Sequence, residues 1–272
     1  YLFGQYKRIR DSFDGGVLTG KGLSFGGSLT RSEATGYGLC YLTEEMLHCM
    51  KQESLQGKRV AISGSGNVAI FACQKAQELG AKVITMSDSN GCIYDPEGIR
   101  LDVVKDIKLR RRGRIREYAQ LVPGSEFRSD FRDLWSVPCD VALPCATQNE
   151  IDAETARRIV RGGAMALAEG ANMPSTPAAI EVLREGGVLF APAKAANAGG
   201  VAVSGLEMCQ NSMRLAWTFD EVDQRLHQIM LDIFHNIYDA SVEYGVPGNL
   251  LDGANIAGFR KVADAMLAQG VC

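Results

Sequence analysis

A chain of 272 residues with 46% hydrophobic content has room for one large or two small domains and for a sizeable core. Its 29 lysines and arginines against 32 aspartates and glutamates give a formal charge of −3, which argues against nucleic acid or an anionic membrane as a partner. No apolar stretch approaches the ~18–20 residues of a membrane span and no secretory leader is visible, so a cytoplasmic location is expected.

Residues 1–13 read as an amphipathic helix, and because the chain opens inside that pattern at Tyr1, further residues are expected upstream. A glycine-rich connection covers 14–28 and a helix 33–53. Residues 60–69 combine an apolar run, a glycine turn and the start of a helix that Gly80 closes. A second apolar run at 82–87 ends in Asp88, and further strands are expected at 139–143, 164–168 and 188–190. Helices fall between them at 152–161 and 175–185, the latter with Pro177 near its start, where proline is tolerated. From 199 onward the pattern is helical, at 200–214, 219–244 and 255–268, with 245–253 and its Pro247 as a break. The stripe Leu226, Met230, Ile233 and Ile237 has helical spacing and reads as core packing.

Short apolar runs separated by helices indicate an α/β fold, a doubly wound parallel sheet of Rossmann type, followed by C-terminal helices. Ligands of such sheets bind beyond the C-terminal strand ends, so the turns after the strands should share one functional rim. The first of these turns carries the strongest signal. Gly64 permits a tight turn, Gly66 lets the backbone approach a pyrophosphate, and Ala69 lets the helix pack close to the strand. Helix N-terminal N–H groups and the helix dipole would hold the negative charge. Asp88 follows Gly66 at close to the ~20-residue spacing of an acid at the adenosine ribose, although Asp88-Ser89-Asn90-Gly91 also reads as a turn.

The run Arg110-Arg111-Arg112-Gly113-Arg114 has two readings. It fits a solvated helix end that favours the dipole, and it fits a clamp for the 2′-phosphate of NADP, whose geometry guanidinium forks match. Asp88 opposes the second reading by charge, while the hydroxyls of Ser87 and Ser89 soften that conflict. Residue types alone leave NADP and NAD open. The eight cysteines, Cys40, Cys49, Cys73, Cys92, Cys139, Cys145, Cys209 and Cys272, are scattered without a C-x-x-C pair, as reduced thiols are. The three histidines, His48, His227 and His235, lie on helical segments without cysteine or carboxylate partners at ligand spacing, so no metal site is expected.

The motifs together resemble the hexameric, bacterial-type glutamate dehydrogenases over the whole chain. The markers are Gly27-Ser28-Leu29-Thr30-Arg31-Ser32-Glu33-Ala34-Thr35-Gly36-Tyr37-Gly38, the turn Ser63-Gly64-Ser65-Gly66-Asn67-Val68-Ala69, Pro144-Cys145-Ala146-Thr147-Gln148-Asn149-Glu150, and Glu169-Gly170-Ala171-Asn172. The most specific are Ala195-Ala196-Asn197-Ala198-Gly199-Gly200-Val201 with Ser204-Gly205-Leu206-Glu207, and Gly253-Ala254-Asn255-Ile256-Ala257-Gly258-Phe259. The Ser-Asp-Ser turn and the arginine run resemble the NADP-preferring branch.

The resemblance implies reversible oxidative deamination of L-glutamate to 2-oxoglutarate and ammonia with NADP as cofactor, usually in a homohexamer. It implies that Gly64, Ser65, Gly66, Asn67 and Val68 follow the pyrophosphate, with Thr35 at the nicotinamide carboxamide. Asp88, Ser89, Arg111 and Arg114 would surround the adenosine ribose and its phosphate. Ala146, Thr147, Asn172 and Asn197 would line the nicotinamide crevice, and Ser204 would reach a substrate carboxylate. Each has a plainer alternative: a helix cap for Thr35, turn closure for Asn172 and Asn197, a self-bonded helix hydroxyl for Ser204. Arg31 fits either an ordering role or a substrate contact. Lys194 is attractive as a base, but the family's base lies elsewhere.

The family's catalytic lysine and proton-relaying aspartate belong to a substrate domain that precedes this region, so no catalytic residue and no metal ligand is assigned. Residues 1–24 are expected to connect to that domain, 25–240 to form the dinucleotide-binding domain, and 241–272 to return toward the missing part. The fragment alone is expected to be inactive. The rivals are a leucine- or phenylalanine-type amino acid dehydrogenase and a non-catalytic NADP-binding module.

Overall fold

The computed structural model describes residues 1–270; Cys272 lies outside them. Helix α1 (Leu2–Arg10) leads through the glycine-rich connection to α2 (Ala34–Lys51), followed by β1 (Arg59–Ile62), α3 (Asn67–Glu78), β2 (Lys82–Asp88) and β3 (Gly91–Tyr94). Next come α4 (Leu101–Lys105), which runs on into a π-turn at Asp106–Arg110, then α5 (Tyr118–Leu121) and β4 (Glu126–Arg128). The second half holds β5 (Val141–Leu143), α6 (Ala153–Arg161), β6 (Ala166–Ala168), α7 (Pro177–Glu185) and β7 (Leu189–Ala191). It closes with α8 (Ala193–Ala196), α9 (Gly199–Met213), α10 (Phe219–Glu243) and α11 (Leu250–Gln269). Among the described residues no helix is long and apolar enough to cross a membrane.

All seven strands form one sheet in the order β4-β3-β2-β1-β5-β6-β7. Strands β2, β1, β5, β6 and β7 run parallel. The order reverses direction between β1 and β5, which makes their C-terminal ends the topological switch point. The doubly wound α/β fold is thus present, but the sheet is not wholly parallel: β3 and β4 are antiparallel. The reason is local. Asp88 pairs with Gly91 across a two-residue turn at Ser89 and Asn90, and so short a turn can only return the chain antiparallel.

The central strands are buried on both faces because alternate side chains serve two layers. Val60, Ile62 and Leu143 pack with Leu39, Leu42, Ile70 and Phe234 of α2, α3 and α10. Ala61, Ala142 and Leu167 pack on the other face with Trp135, Ile159 and Leu183. Burial of each large side chain contributes ~1.5–3 kcal/mol. Helix α11 starts earlier than expected from the sequence, because the Asn249 side chain accepts the Asp252 N–H at 3.2 Å and caps it. Its outer end keeps Phe259, Val262, Met266 and Leu267 exposed.

Candidate functional site

The turn after β1 is built around two glycines with different duties. Gly64 has φ +86, a left-handed conformation, and a Cβ there would sit 3.0 Å from the Cys145 carbonyl oxygen. Its N–H donates to Ser87 Oγ (2.8 Å), and the Ser87 N–H donates back to the Gly64 carbonyl (3.1 Å), tying this turn to the end of β2. Ser63 ties it to the end of β5, accepting the Cys145 N–H at 2.9 Å and donating to Glu150 Oε1 at 2.9 Å. Gly66 occupies the cap position of α3, and a Cβ there would meet nothing within 4 Å. No side chain caps α3 and its first turn holds no acid. The exposed Gly66 and Asn67 therefore present free helix N–H groups to the rim, with Ser65 buried behind them.

A cavity of about 940 Å³ adjoins this turn. It gathers Thr35, Val68, Ala146, Thr147, Asn172, Asn197 and Ser204 from five separate stretches of sequence, together with Arg31 and Gln148. Close backbone contacts make the assembly possible. A Cβ on Gly199 would lie 2.2 Å from the Ala34 carbonyl oxygen, and one on Gly200 2.5 Å from Thr35 Oγ1. The N-terminal ends of α2 and α9 therefore meet only because glycine stands at both positions. Thr35 lies inside α2 behind Glu33, which takes the cap position, so it is not the helix cap. Asn197 Nδ2 donates to Asn172 Oδ1 at 2.8 Å, pairing the two amides across the crevice. Ser204 lines the cavity, and its Oγ donates to the Gly200 carbonyl at 3.1 Å. Arg31 Nε is buried without a partner.

Asp88, Ser89, Arg111 and Arg114 lie outside that cavity, around the β2–β3 turn. The Asp88 side chain is only 8% exposed. It accepts the Asn90 and Ile115 N–H groups, both at 2.8 Å, and pairs with Lys108 at 3.2 Å. Burial alone would raise its pKa, but these donors hold it below the usual carboxylate range. Its charge is thus compensated from within. Arg114 Nη1 donates to Ser89 Oγ at 3.2 Å and stays exposed. Arg111 instead pairs with Glu117 and approaches Asp106 at 3.9 Å. Ser87 spends its hydroxyl on Gly64 and does not face this end. The sequence reading missed Lys108 and Glu117, whose partners are set by how the 106–117 segment folds back.

Residues 26–270 match the glutamate/leucine/phenylalanine/valine dehydrogenase family. The chain belongs to this family. It is 51% identical to the NADP-specific glutamate dehydrogenase of Helicobacter pylori over 277 residues, covering 100% of this chain and 61% of that one. It is 54% identical to the Escherichia coli NADP-specific glutamate dehydrogenase over 282 residues, 100% of this chain and 60% of the relative. The crystal structure of Plasmodium falciparum glutamate dehydrogenase superposes with a TM-score of 0.95 at 44% identity, over 100% of this chain and 58% of that one. The chain thus spans about three-fifths of the relatives it matches.

Two carboxylates of this family member buttress the rim, and the sequence reading quoted both without giving them a role. Glu150 is buried; burial pushes its pKa up to about 7 against the hydrogen bonds from Ser63 and Ala146, and its Oε2 has no partner. Glu169 accepts the Ala193 N–H at 2.8 Å and the Ser175 N–H at 3.1 Å, and burial raises it too. Lys194 points away from the cavity and bonds Asn255 Oδ1 in a groove between α10 and α11. The cysteines among the described residues are free thiols. His235 has no carboxylate partner at ligand spacing in the sequence, yet the fold gives it one: its Nε2 lies 2.9 Å from Glu45 Oε1. Packing of α10 on α2 closes a distance that sequence spacing does not show.

Proposed function

We propose that this chain is the cofactor-binding part of an NADP-dependent glutamate dehydrogenase, which interconverts L-glutamate with 2-oxoglutarate and ammonia in the cytoplasm as a homohexamer. The observation that carries this is the uncapped α3 N-terminus behind Gly64 and Gly66, at the sheet's switch point and opening onto the 940 Å³ cavity. The half-identity to NADP-specific relatives supports the same substrate and cofactor. Residues 1–24 act as a connection, 25–240 as the dinucleotide-binding domain and 241–272 as a return segment.

The residues present fit NADP. Free N–H groups at Gly66, Asn67 and Val68 hold the pyrophosphate, with Gly64 and Ser65 shaping the turn. Thr35 orients the carboxamide, while Ala146, Thr147, Asn172 and Asn197 wall the nicotinamide half. Bound there, the nicotinamide supplies the hydride chemistry, and the protein supplies orientation and electrostatics. Ser204 turns its hydroxyl from the Gly200 carbonyl to donate to a substrate carboxylate, and the unpartnered Arg31 Nε gives that side of the cavity a second donor. At the far end Arg114 grips the 2′-phosphate, Ser89 holds Arg114, and Asp88 acts by ordering Asn90, Ile115 and Lys108. Arg111 joins when it leaves Glu117. Proton transfer is assigned to the lysine and aspartate of the family's substrate domain, and this chain spans about three-fifths of its relatives, so the 272 residues assayed alone should bind cofactor without turnover.

Calorimetric titration with NADPH and with NADH tests this. NADPH should bind more tightly, and Arg114→Ala should weaken NADPH by roughly ten- to hundredfold while leaving NADH unchanged, as expected for a charge-assisted phosphate contact. Equal affinities would remove the clamp, and no binding of either would overturn the site.

A further inference from the structure

We propose that Glu45, Cys49 and His235 form a zinc-type metal site that clamps α2 to α10. Glu45 and Cys49 are one turn apart on α2, so their side chains stand on the same face of the helix. His235 approaches from α10. Glu45 Oε1 lies 2.9 Å from His235 Nε2 and 3.2 Å from Cys49 Sγ. All three ligand atoms fall within 4.8 Å of one another.

Those separations decide whether an ion fits. Tetrahedral zinc takes nitrogen and oxygen at about 2.0–2.2 Å and sulfur at about 2.3 Å, which sets its ligands roughly 3.2–3.8 Å apart. The two Glu45 separations need to open by a few tenths of an ångström, while the Cys49–His235 separation, within 4.8 Å, has to settle into the same range through side-chain rotation. One nitrogen, one sulfur and one oxygen ligand select zinc or cobalt over magnesium or calcium, which demand oxygen. Coordination replaces the Cys49 and His235 hydrogen bonds to Glu45: the thiol proton leaves to solvent, and the imidazole binds through Nε2 as its Nδ1–H tautomer. His235 is 48% exposed, so the ion has an entry path and water can fill the fourth position.

The helices joined are already neighbours: Tyr41 of α2 bonds Asp223 of α10 at 2.7 Å and stacks on His227. None of the three ligands lines the cofactor cavity. The site is therefore a staple on the outer half of α2, the helix whose other end carries Thr35. By linkage, an ion that binds only the folded chain raises its stability with concentration.

Titration of chelator-treated chain with Co²⁺ tests this directly. A one-to-one complex should show a thiolate-to-cobalt charge-transfer band and the visible bands of tetrahedral cobalt, and zinc should displace it. Cys49→Ser should abolish the charge-transfer band, and His235→Gln should weaken zinc binding by roughly tenfold or more. Cys209→Ser removes the other exposed thiol among the described residues and should change nothing. Absence of the cobalt spectrum in the unmutated chain, or a band that survives Cys49→Ser, would overturn the proposal.

Discussion

Near the first glycine turn, polar groups are left free: the α3 N-terminus has no cap, and Arg31 Nε and Glu150 Oε2 have no partners. Around the β2–β3 turn the opposite holds, where Asp88 is matched by Lys108 and Arg111 by Glu117. The first half is shaped by backbone packing and leaves helix N–H groups free, which favour an anionic ligand. At the second half, a 2′-phosphate in the proposed site would find Arg114 held only by Ser89 and would have to compete with Glu117 for Arg111. The common dinucleotide frame and the choice between NADP and NAD are thus built by different forces, and substitutions can separate them.

The largest effect is expected where packing makes the first half. Gly199→Ala forces a Cβ to 2.2 Å from the Ala34 carbonyl oxygen, and should cost about 3 kcal/mol or more in urea unfolding. A loss under about 1 kcal/mol would mean that the α2–α9 junction is not tight. Glu150 gives the next. Its pKa is raised to about 7 by burial, so between the unfolded value near 4.3 and 7 the native chain holds the extra proton. Stability should therefore fall as pH rises through that window, by up to about 3 kcal/mol, and stay low above it. Glu150→Gln should flatten the difference between unfolding at pH 5 and pH 8.

Gly66→Ala sharpens the comparison further. With open space at its Cβ and φ −83, stability should change by no more than ~0.5 kcal/mol. NADPH and NADH should both weaken by roughly tenfold, because the added methyl stands where the pyrophosphate approaches. A loss confined to one cofactor would contradict a shared frame. The smallest effect belongs to Glu117→Gln. The amide oxygen still accepts the Arg114 N–H, which Glu117 does at 2.9 Å, while Arg111 is released. NADPH should tighten about threefold with NADH unmoved, the size of a screened surface pair; unchanged NADPH would show that Arg111 takes no part.

What the sequence disclosed follows the same division. Gly64 and Gly66 were legible because their demands, a positive φ and an open approach, are local to the turn. The five parallel strands showed as apolar runs because both faces are buried. Strands β3 and β4 stayed hidden: four and three residues long, with β4 on the sheet's edge, they carry no sustained alternation. Lys108 and Glu117 were missed because only the folded 106–117 segment aims them at Asp88 and Arg111. Glu45 and His235 are nearly 200 residues apart, and no spacing rule links them before α10 packs on α2.

The reciprocal hydrogen bonds between Gly64 and Ser87 give the rim a further property. They fix the gap between the glycine turn and the hairpin turn, so in the proposed cofactor site that gap would work as a ruler for the adenosine arm. On that reading a dinucleotide of the right span would meet both turns at once, the second contact following from the first without a new search through solution. A mononucleotide can engage only one mark on that ruler, whatever its charge.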